Sequence, residues 1–279
     1  MGQVRGEDDR GLPRSPGAGS SPFVSRPERV NVLGVGVSLV NMDRALDEID
    51  RLIRAGDRTY VCVCSVHGVM ECQRSDELRR IFNSAGMVTP DGMPLVWLAR
   101  GRDKNVTRVY GPDLMLAEFR RSVTAGYRHF LYGGGPGVSN RLAAAMRERF
   151  PGLNVAGTLE PPFAPLDQLT SPETAAAINS THAEIVWVGI SSPKQERWMA
   201  TMRPLLEAPV LIGVGAAFDF HSGMVRQAPR WMQRSGLEWL FRLITEPRRL
   251  WRRYLVNNPW FVWALALQRL GIRRYELET

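Results

Sequence analysis

The stretch Arg128–Val138, RHFLYGGGPGV, contains the pattern that decides the fold. An apolar run passes through three glycines directly into a helical pattern over Val138–Phe150. Continuous apolar strands are typical of parallel sheets that are buried on both faces, and such strands need a crossover connection that is usually a helix. Bare glycines at the turn let backbone N–H groups approach an anion, so the turn is a candidate diphosphate site or simply a tight connection. The glycines are Gly133, Gly134 and Gly135.

The same alternation of strand and helix extends outward along the chain. The apolar runs rich in β-formers are Val30–Val40, Thr59–Val66, Arg128–Tyr132, Leu153–Gly157, Glu184–Gly189 and Val210–Val214. The helical patterns between them are Met42–Ala55, Gly68–Ala85, Pro94–Arg100, Asp113–Ala125, Val138–Phe150, Ser171–Asn179 and Lys194–Leu206. This order predicts an α/β fold, a Rossmann-like parallel sheet core with helices on both faces.

Composition divides the chain into three regions. Residues 1–29 are rich in Gly, Pro and Ser and are expected to form a disordered tail. Residues 30–229 form the expected α/β core. Residues 230–279 are expected to form a basic, Trp-rich helical appendage, with helical patterns over Trp231–Gly236, Leu237–Leu255 and Pro259–Leu267.

The net charge of +8 is concentrated near the C-terminus. Eleven arginines against two acids, Glu238 and Glu246, give the segment Met224–Tyr275 a net charge of +9, so the rest of the chain is nearly neutral. Tryptophans alternate with these arginines, which is typical of helices that lie in an anionic membrane interface. A helical cap packed on the core, or a nucleic-acid surface, would show similar interleaving. We expect this segment to bind an anionic membrane surface and no nucleic acid. The tryptophans are Trp231, Trp239, Trp251, Trp260 and Trp263.

Neither end of the chain carries a recognisable targeting or membrane-spanning pattern. The first 29 residues contain no apolar stretch, and no uncharged apolar run approaches the ~18 residues that cross a bilayer. Three cysteines, Cys62, Cys64 and Cys72, lack the spacing of a metal site and are expected to be core residues in a reduced cytosol. The expected location is cytoplasmic, with peripheral association at the inner face of the cell membrane.

Three other strand-to-helix regions carry polar residues where ligands of open sheets bind. The turn VGISSPKQE offers Gly189, Pro193, Lys194, Gln195 and Glu196, and the turn GVGAAFD offers Gly213, Gly215 and Asp219. The turn TPDGMP places Asp91 at a strand end, as a turn former or as a general base. The stretch RVYGPD follows it with Arg108 and Asp113.

As a set, these turns resemble the WecG/TagA/CpsF glycosyltransferases (glycosyltransferase family 26). The resemblance covers about Val30–Tyr254 and is carried by the blocks PDG, RVYGPDL, LYGGGPGV, GISSPKQERW, GVGAAFDFHSG, QAPRW and GLEWLFRLITEPRRLWRRY. It implies metal-independent, inverting transfer of an N-acetylhexosamine-type or related sugar from a UDP-sugar to a polyprenyl-diphosphate-linked saccharide. It also implies a role in cell-surface polysaccharide assembly, a Rossmann-like core and a membrane-associating C-terminal appendage, with no cofactor or metal.

The resemblance also implies roles for particular residues. The family's proposed base falls on Asp91, its arginine on Arg108 and its PKQE glutamine on Gln195. Cys64 occupies the position of a threonine found in many relatives, and Ser65 or His67 is expected to substitute for it. Four appendage arginines are expected to meet a substrate diphosphate: Arg248, Arg249, Arg252 and Arg253.

Two other function classes remain open from the residues alone. A nucleotide-dependent oxidoreductase would need a GxGxxG turn after the first strand, and Gly34-Val35-Gly36-Val37 does not match it. A non-enzymatic nucleic-acid binder would use the basic segment. An inverting transferase needs a base and a way to stabilise departing UDP, and the turns supply both without a metal-holding pair of acids. The oligomeric state cannot be inferred from the sequence.

Overall fold

The computed structural model describes residues 26–277, and within this range the side chains of Arg234, Arg249, Arg252 and Arg253 are not described. The predicted tail, 1–29, therefore lies outside the described residues except for residues 26–29. The expected diphosphate contacts of Arg249, Arg252 and Arg253 likewise lie outside the described side chains.

A six-stranded parallel sheet forms the centre of the protein. The strands, in chain order, are β1 (Arg29–Val32), β2 (Val35–Ser38), β3 (Thr59–Cys64), β4 (Met87–Pro90), β5 (Arg128–Gly133), β6 (Asn154–Leu159), β7 (Ile185–Gly189) and β8 (Val210–Gly213). The spatial order in the sheet is β4-β3-β8-β7-β5-β6, and β1 and β2 form a separate antiparallel pair.

Helices cover both faces of this sheet, as the alternation predicts. They are α1 (Met42–Ala55), α2 (Val66–Cys72), α3 (Asp76–Ser84), α4 (Met93–Arg100), α5 (Gly111–Ala125), α6 (Val138–Arg149), α7 (Leu166–Leu169), α8 (Pro172–Asn179), α9 (Lys194–Met202) and α10 (Ala217–His221). Successive residues of one strand point to opposite faces. Accordingly, Val186 packs into one buried cluster with Trp198, whereas Trp187 packs into the other with Phe119. The predicted α/β class is confirmed.

The first apolar run, Val30–Val40, is not a strand of the main sheet. It folds into the hairpin of β1 and β2, in which Val32 pairs with Val35. Leu33 and Gly34 both have positive φ (52° and 82°), the geometry of a two-residue hairpin turn that glycine adopts without strain. The apolar β-rich run is therefore two strands joined by a turn, and hydrophobicity alone does not mark where the chain reverses.

Two further boundaries differ from the prediction. The helical pattern Gly68–Ala85 divides into α2 and α3, because the hydroxyl of Ser75 accepts a hydrogen bond from Leu78 N (3.2 Å) and starts a new helix. The edge strand β4 is absent from the predicted apolar runs, because four residues are too short for a periodic signal, although Asp91 is expected at a strand end. This strand matters for the site, because Asp91 follows it directly.

The C-terminal segment continues as short helices that return to the core. They are α11 (Arg230–Arg234), α12 (Glu238–Thr245), α13 (Pro247–Trp251), a π-helical turn (Arg252–Val256) and α14 (Asn257–Arg269). Phe261 of α14 is buried in the cluster that covers one sheet face. Leu33 N donates to Gln268 Oε1 (3.1 Å), which fixes α14 to the hairpin. Among the described residues, no helix combines the length and the apolar character needed to cross a bilayer.

Candidate functional site

A cavity of about 770 Å³ lies at the carboxyl-terminal edge of the sheet. Its walls come from the turns after β3, β4, β7 and β8 and from the C-terminal helices. Open parallel sheets bind ligands at this edge, and the volume is in the usual range for ligand pockets. The polar residues that line it are Ser65, His67, Glu71, Arg74, Asp91, Tyr110, Ser191, Ser192, Gln195, Asp219, Glu238, Arg242 and Asn257. We call this space the first cavity.

Asp91 is held at the first cavity by the turn that follows β4. Its backbone N–H donates to Cys64 O (2.9 Å), and its side chain is 20% exposed. Arg108 Nη2 donates to Asp91 Oδ1 (3.0 Å). Burial raises the pKa of Asp91 to about 6, since the attraction of Arg108 is partly offset by the negative charge of Glu238. The carboxylate is therefore ionised at neutral pH and more basic than an exposed aspartate, as a general base requires.

Arg108 connects Asp91 to the C-terminal segment. Its Nε donates to the backbone oxygen of Asp91 (2.5 Å), and its Nη2 also donates to Glu238 Oε2 (2.7 Å). Tyr110 OH donates to Glu238 Oε1 (2.9 Å), and the Arg108 guanidinium lies 4.1 Å from the centre of the Tyr110 ring. No sequence pattern singled out Glu238 or Tyr110. The one available signal was a lone acid in the GLEW block of an arginine-rich segment.

The end of β3 supplies Ser65 and His67 to the first cavity, whereas Cys64 does not line it. Cys64 is fully buried, and burial raises the pKa of its thiol. The His67 ring lies near an amide from the C-terminal helix α14, with Asn257 Nδ2 3.2 Å from His67 Nδ1. Arg74 Nη2 in turn donates to Asn257 Oδ1 (2.6 Å). Asn257 is a third site residue that the sequence patterns did not indicate.

Gln195 lies in the first turn of α9 with its side chain almost fully buried (3% exposed). Its Nε2 donates to Glu196 Oε1 (3.0 Å). Its Oε1 has no hydrogen-bond partner among the described residues. This oxygen lies 3.4 Å from the position that a Cβ would occupy on Gly215, so it is directed toward a wall of the first cavity. An unpaired buried acceptor carries a desolvation cost that a bound hydroxyl or N–H would relieve.

The turn after β8 brings Gly213, Gly215 and Asp219 to the first cavity. A Cβ on Gly213 would lie 2.8 Å from Met199 Cε and 3.0 Å from Gln195 Nε2. Gly215 has a positive φ of 51°. A side chain on Gly213 would require Met199 and Gln195 to move, and a side chain on Gly215 would be strained by the positive φ.

The glycines Gly133, Gly134 and Gly135 are not part of the first cavity. At the α6 N-terminus that they precede, Glu160 accepts hydrogen bonds from Gly137 N (2.7 Å) and Ser139 N (2.9 Å). The helix N-terminus beside the predicted loop thus already binds a carboxylate of the same chain, and within the loop Gly134 N donates to Gly189 O (3.0 Å). The structure does not bring this predicted loop to the other site residues.

Other predicted residues also lie away from the first cavity. Lys194 Nζ donates to Ala164 O (2.6 Å), and Pro193 precedes α9. Gly189 has a packing role, because a Cβ there would lie 2.4 Å from the Phe218 ring. Glu196 does not line the first cavity, and its Oε1 accepts a hydrogen bond from Gln195. Asp113 and Arg248 are exposed and line neither this cavity nor the one described next.

A second cavity, of about 520 Å³, adjoins the first. The two have five lining residues in common: Ser65, His67, Asp91, Glu238 and Arg242. Arg108 also lines the second cavity, whose remaining walls are largely apolar. The apolar residues are Val66, Met93, Pro94, Trp97, Leu98, Trp239, Phe261, Val262 and Leu265. Asp91 therefore lies where a cavity lined by many polar side chains meets a largely apolar cavity.

Arg242 is a cation shared by both cavities, and no sequence pattern singled it out. It lies one helical turn after Glu238 on α12. Its side chain is 18% exposed, and its nearest acid, Glu246, lies 4.0 Å away. A single cation at the meeting point of two cavities can contact anionic groups in either cavity. Among the C-terminal arginines whose side chains are described, Arg242 is therefore the best placed to bind a phosphate.

One comparison with known proteins bears on this site. The model of a family described as the glycosyl transferase WecG/TagA/CpsF family matches residues 30–275. The match includes the sheet, the turns that carry Asp91 and Gln195, and the C-terminal helices that carry Glu238 and Arg242.

Proposed function

The chain belongs to the WecG/TagA/CpsF family of glycosyltransferases, which serve cell-surface polysaccharide synthesis, and on that premise we propose its reaction. It transfers an N-acetylhexosamine-type or related sugar from a UDP-sugar to a polyprenyl-diphosphate-linked saccharide, with inversion and without a metal. The observation that carries the proposal is the position of Asp91 at the junction of two cavities of different polarity.

The first cavity is the proposed donor site. Its volume of about 770 Å³ suits a nucleotide sugar, and its walls combine glycines with polar side chains. The unpaired Gln195 Oε1 would accept a hydrogen bond from a nucleoside N–H or hydroxyl. Arg242 would face the diphosphate from the side shared with the second cavity.

The second cavity is the proposed acceptor site. Its apolar lining suits the lipid-proximal part of a polyprenyl-linked saccharide, and two of its residues, Trp97 and Val262, are also largely exposed (58% and 65%). The cavity therefore opens toward an apolar surface from which a membrane-bound acceptor could enter.

Asp91 is the proposed base for the transfer. It removes the proton from the acceptor hydroxyl while that oxygen attacks the anomeric carbon, and the bond to UDP breaks with its electron pair leaving on the phosphate. Hydrogen-bond donors and Arg242 stabilise the departing charge in place of a metal ion. Arg108 holds Asp91 in position through its two hydrogen bonds.

The C-terminal segment is the proposed membrane-docking surface. Its local net charge is +9, and large apolar side chains are exposed along it. Each basic residue near an anionic surface contributes ~1 kcal/mol, and exposed tryptophans are suited to the interface. The exposed apolar residues are Trp231, Ile244, Trp251, Leu255, Val256, Trp260, Val262, Trp263, Leu270 and Ile272.

A transfer assay tests the proposed function. Purified protein is incubated in EDTA with each of a panel of UDP-sugars and a polyprenyl-diphosphate saccharide, and both UDP release and glycosylated lipid are measured. We expect acceptor-dependent UDP release with one donor class. Release that does not require the lipid, or a strict requirement for a divalent cation, would contradict the proposal.

A further inference from the structure

We propose that Glu238 is a positioning residue that sets the geometry and basicity of Asp91 through Arg108. The inference deepens the proposed function and rests on it for the role of Asp91.

The hydrogen bonds separate the roles of the two carboxylates. Both oxygens of Glu238 accept from protein donors, Oε1 from Tyr110 and Oε2 from Arg108. Asp91 accepts from Arg108 through Oδ1, and its Oδ2 has no hydrogen-bond partner among the described residues. Only Asp91 therefore presents an oxygen that can receive a proton at the cavity junction, while Glu238 is committed to its neighbours.

The charges explain why this arrangement favours a base. One guanidinium lies between two carboxylates, at 3.0 Å from Asp91 Oδ1 and 2.7 Å from Glu238 Oε2. If Arg108 faced Asp91 alone, its full attraction would stabilise the ionised aspartate and weaken it as a base. Glu238 shares that positive charge, and its own negative charge disfavours a second anion nearby. Loss of the Glu238 charge should therefore make Asp91 less basic.

The connection spans distant parts of the sequence. Glu238 lies in the first turn of α12, where a negative charge is favourable. It accepts hydrogen bonds from Arg108 and Tyr110, which lie 130 and 128 positions earlier in the chain. Arg108 Nη1 also approaches the backbone oxygen of Gln233 (3.5 Å), the residue five positions before Glu238. The C-terminal segment thus contacts Arg108 through both Gln233 and Glu238, and Arg108 in turn holds Asp91.

Glu238→Gln tests the proposal because it keeps the side-chain size and the acceptor toward Tyr110 but removes the charge. The acidic limb of the pH dependence of kcat/KM should move to lower pH by about one unit, and kcat at neutral pH should fall about 10-fold. The KM for the UDP-sugar should change less than 2-fold. Glu238→Asp, which retains the charge, should restore the limb at least in part.

Glu276→Gln is the matched control, because it removes one negative charge from an exposed position near the C-terminus that lines neither cavity. It should leave the acidic limb at the wild-type position. A Glu238→Gln variant that loses activity with an unmoved limb would show a merely structural role and overturn the proposal.

A titration that does not depend on turnover separates this proposal from the proposed function. Carbon-13 labelling of the aspartate carboxyls reports the ionisation of Asp91 in the wild type, in Glu238→Gln and in Glu238→Asp. The Asp91 signal is assigned by its absence in Asp91→Asn. A lower Asp91 pKa in Glu238→Gln than in the wild type supports the positioning role even if no UDP-sugar is turned over. The absence of turnover would reject only the transferase proposal. An unmoved Asp91 titration in a folded, active Glu238→Gln protein would overturn the inference and leave the transferase proposal standing.

Discussion

Gln195 Nε2 donates to Glu196 Oε1 over 3.0 Å, and this hydrogen bond decides which atom of the Gln195 amide is left to meet a ligand. With the nitrogen bound to Glu196, the oxygen is directed toward Gly215 at the wall of the first cavity. In the proposed donor site, Glu196 therefore positions the Gln195 amide, and Gln195 offers its oxygen to the ligand. Lys194, their neighbour in sequence, is bound to Ala164 O and contributes to neither.

Gln195→Leu should weaken UDP binding. Leucine removes the Oε1 acceptor together with the Nε2 donor to Glu196, and one lost hydrogen bond to the ligand corresponds to about a 3- to 10-fold increase in Kd. Calorimetric titration of UDP in EDTA measures the change. Lys194→Met is the matched control and should bind UDP like the wild type. The reverse pattern would place the nucleotide outside the first cavity.

The pH dependence of transfer should show an acidic limb near pH 6. Burial, opposed by Arg108, raises the pKa of Asp91 to about 6, and a protonated aspartate cannot accept a proton. Below the pKa, kcat/KM should therefore fall about 10-fold per pH unit, and it should be level from pH 7 upward until another group titrates. Thermal unfolding at each pH controls for loss of the folded protein. A midpoint near pH 4, the ordinary value for aspartate, would mean that the burial of Asp91 does not act on the base.

Trp260 and Trp263 should contribute to membrane binding. They are 54% and 59% exposed on α14, so their replacement by serine removes little packing. The double variant should sediment less with vesicles that contain anionic lipid, and high salt should release the wild-type protein because it screens the arginines. Phe163→Ser is the control, since Phe163 is fully exposed outside the C-terminal segment. Equal sedimentation of all three proteins would reject this docking surface.

Glu118 should make stability depend on pH. It is fully buried on α5, where Ser122 Oγ donates to its Oε1 (3.1 Å), and burial raises its pKa to about 7. A folded-state pKa above the unfolded value gives a stability contribution that is complete below about pH 4 and is lost as pH rises through about 7.

Glu118→Gln removes this ionisation. The free energy of unfolding of the variant should therefore increase relative to that of the wild type as pH rises from 5 to 8. The gain should be on the order of 2 kcal/mol in the free energy of unfolding, measured by urea denaturation. Glu148→Gln changes an exposed acid and should show a difference that does not vary with pH. A pH-independent difference for Glu118→Gln would mean that its carboxyl titrates normally.

Local patterns were sufficient for most of the sheet and its helices. The helix over Met42–Ala55 and the apolar strand beginning at Arg128 occur as predicted, because each is specified by periodicity within one segment. The hairpin of β1 and β2 could not be seen this way, because its turn depends on the positive φ of Leu33 and Gly34 rather than on hydrophobicity.

The site was predictable only where its residues follow strands. Asp91, Gln195 and Asp219 lie at strand ends, and the fold brings them to one edge. The glycines after β5 have the same local pattern, but Glu160, more than twenty residues away, binds the amides that follow them. Glu238 and Arg242 lie on a helix whose docking depends on tertiary contacts, so no local signal could place them.

Steady-state transfer by Asp91→Asn tests the central claim most directly. The substitution keeps the shape and an acceptor for Arg108 but removes the base. We expect kcat to fall by about 10² or more while UDP affinity and thermal stability stay near the wild-type values. The measurement is transfer from a radiolabelled UDP-sugar to the lipid-linked acceptor, with both substrates at concentrations that saturate the enzyme. Turnover within a few fold of wild type would contradict the assignment of Asp91 as the base at the junction of the two cavities.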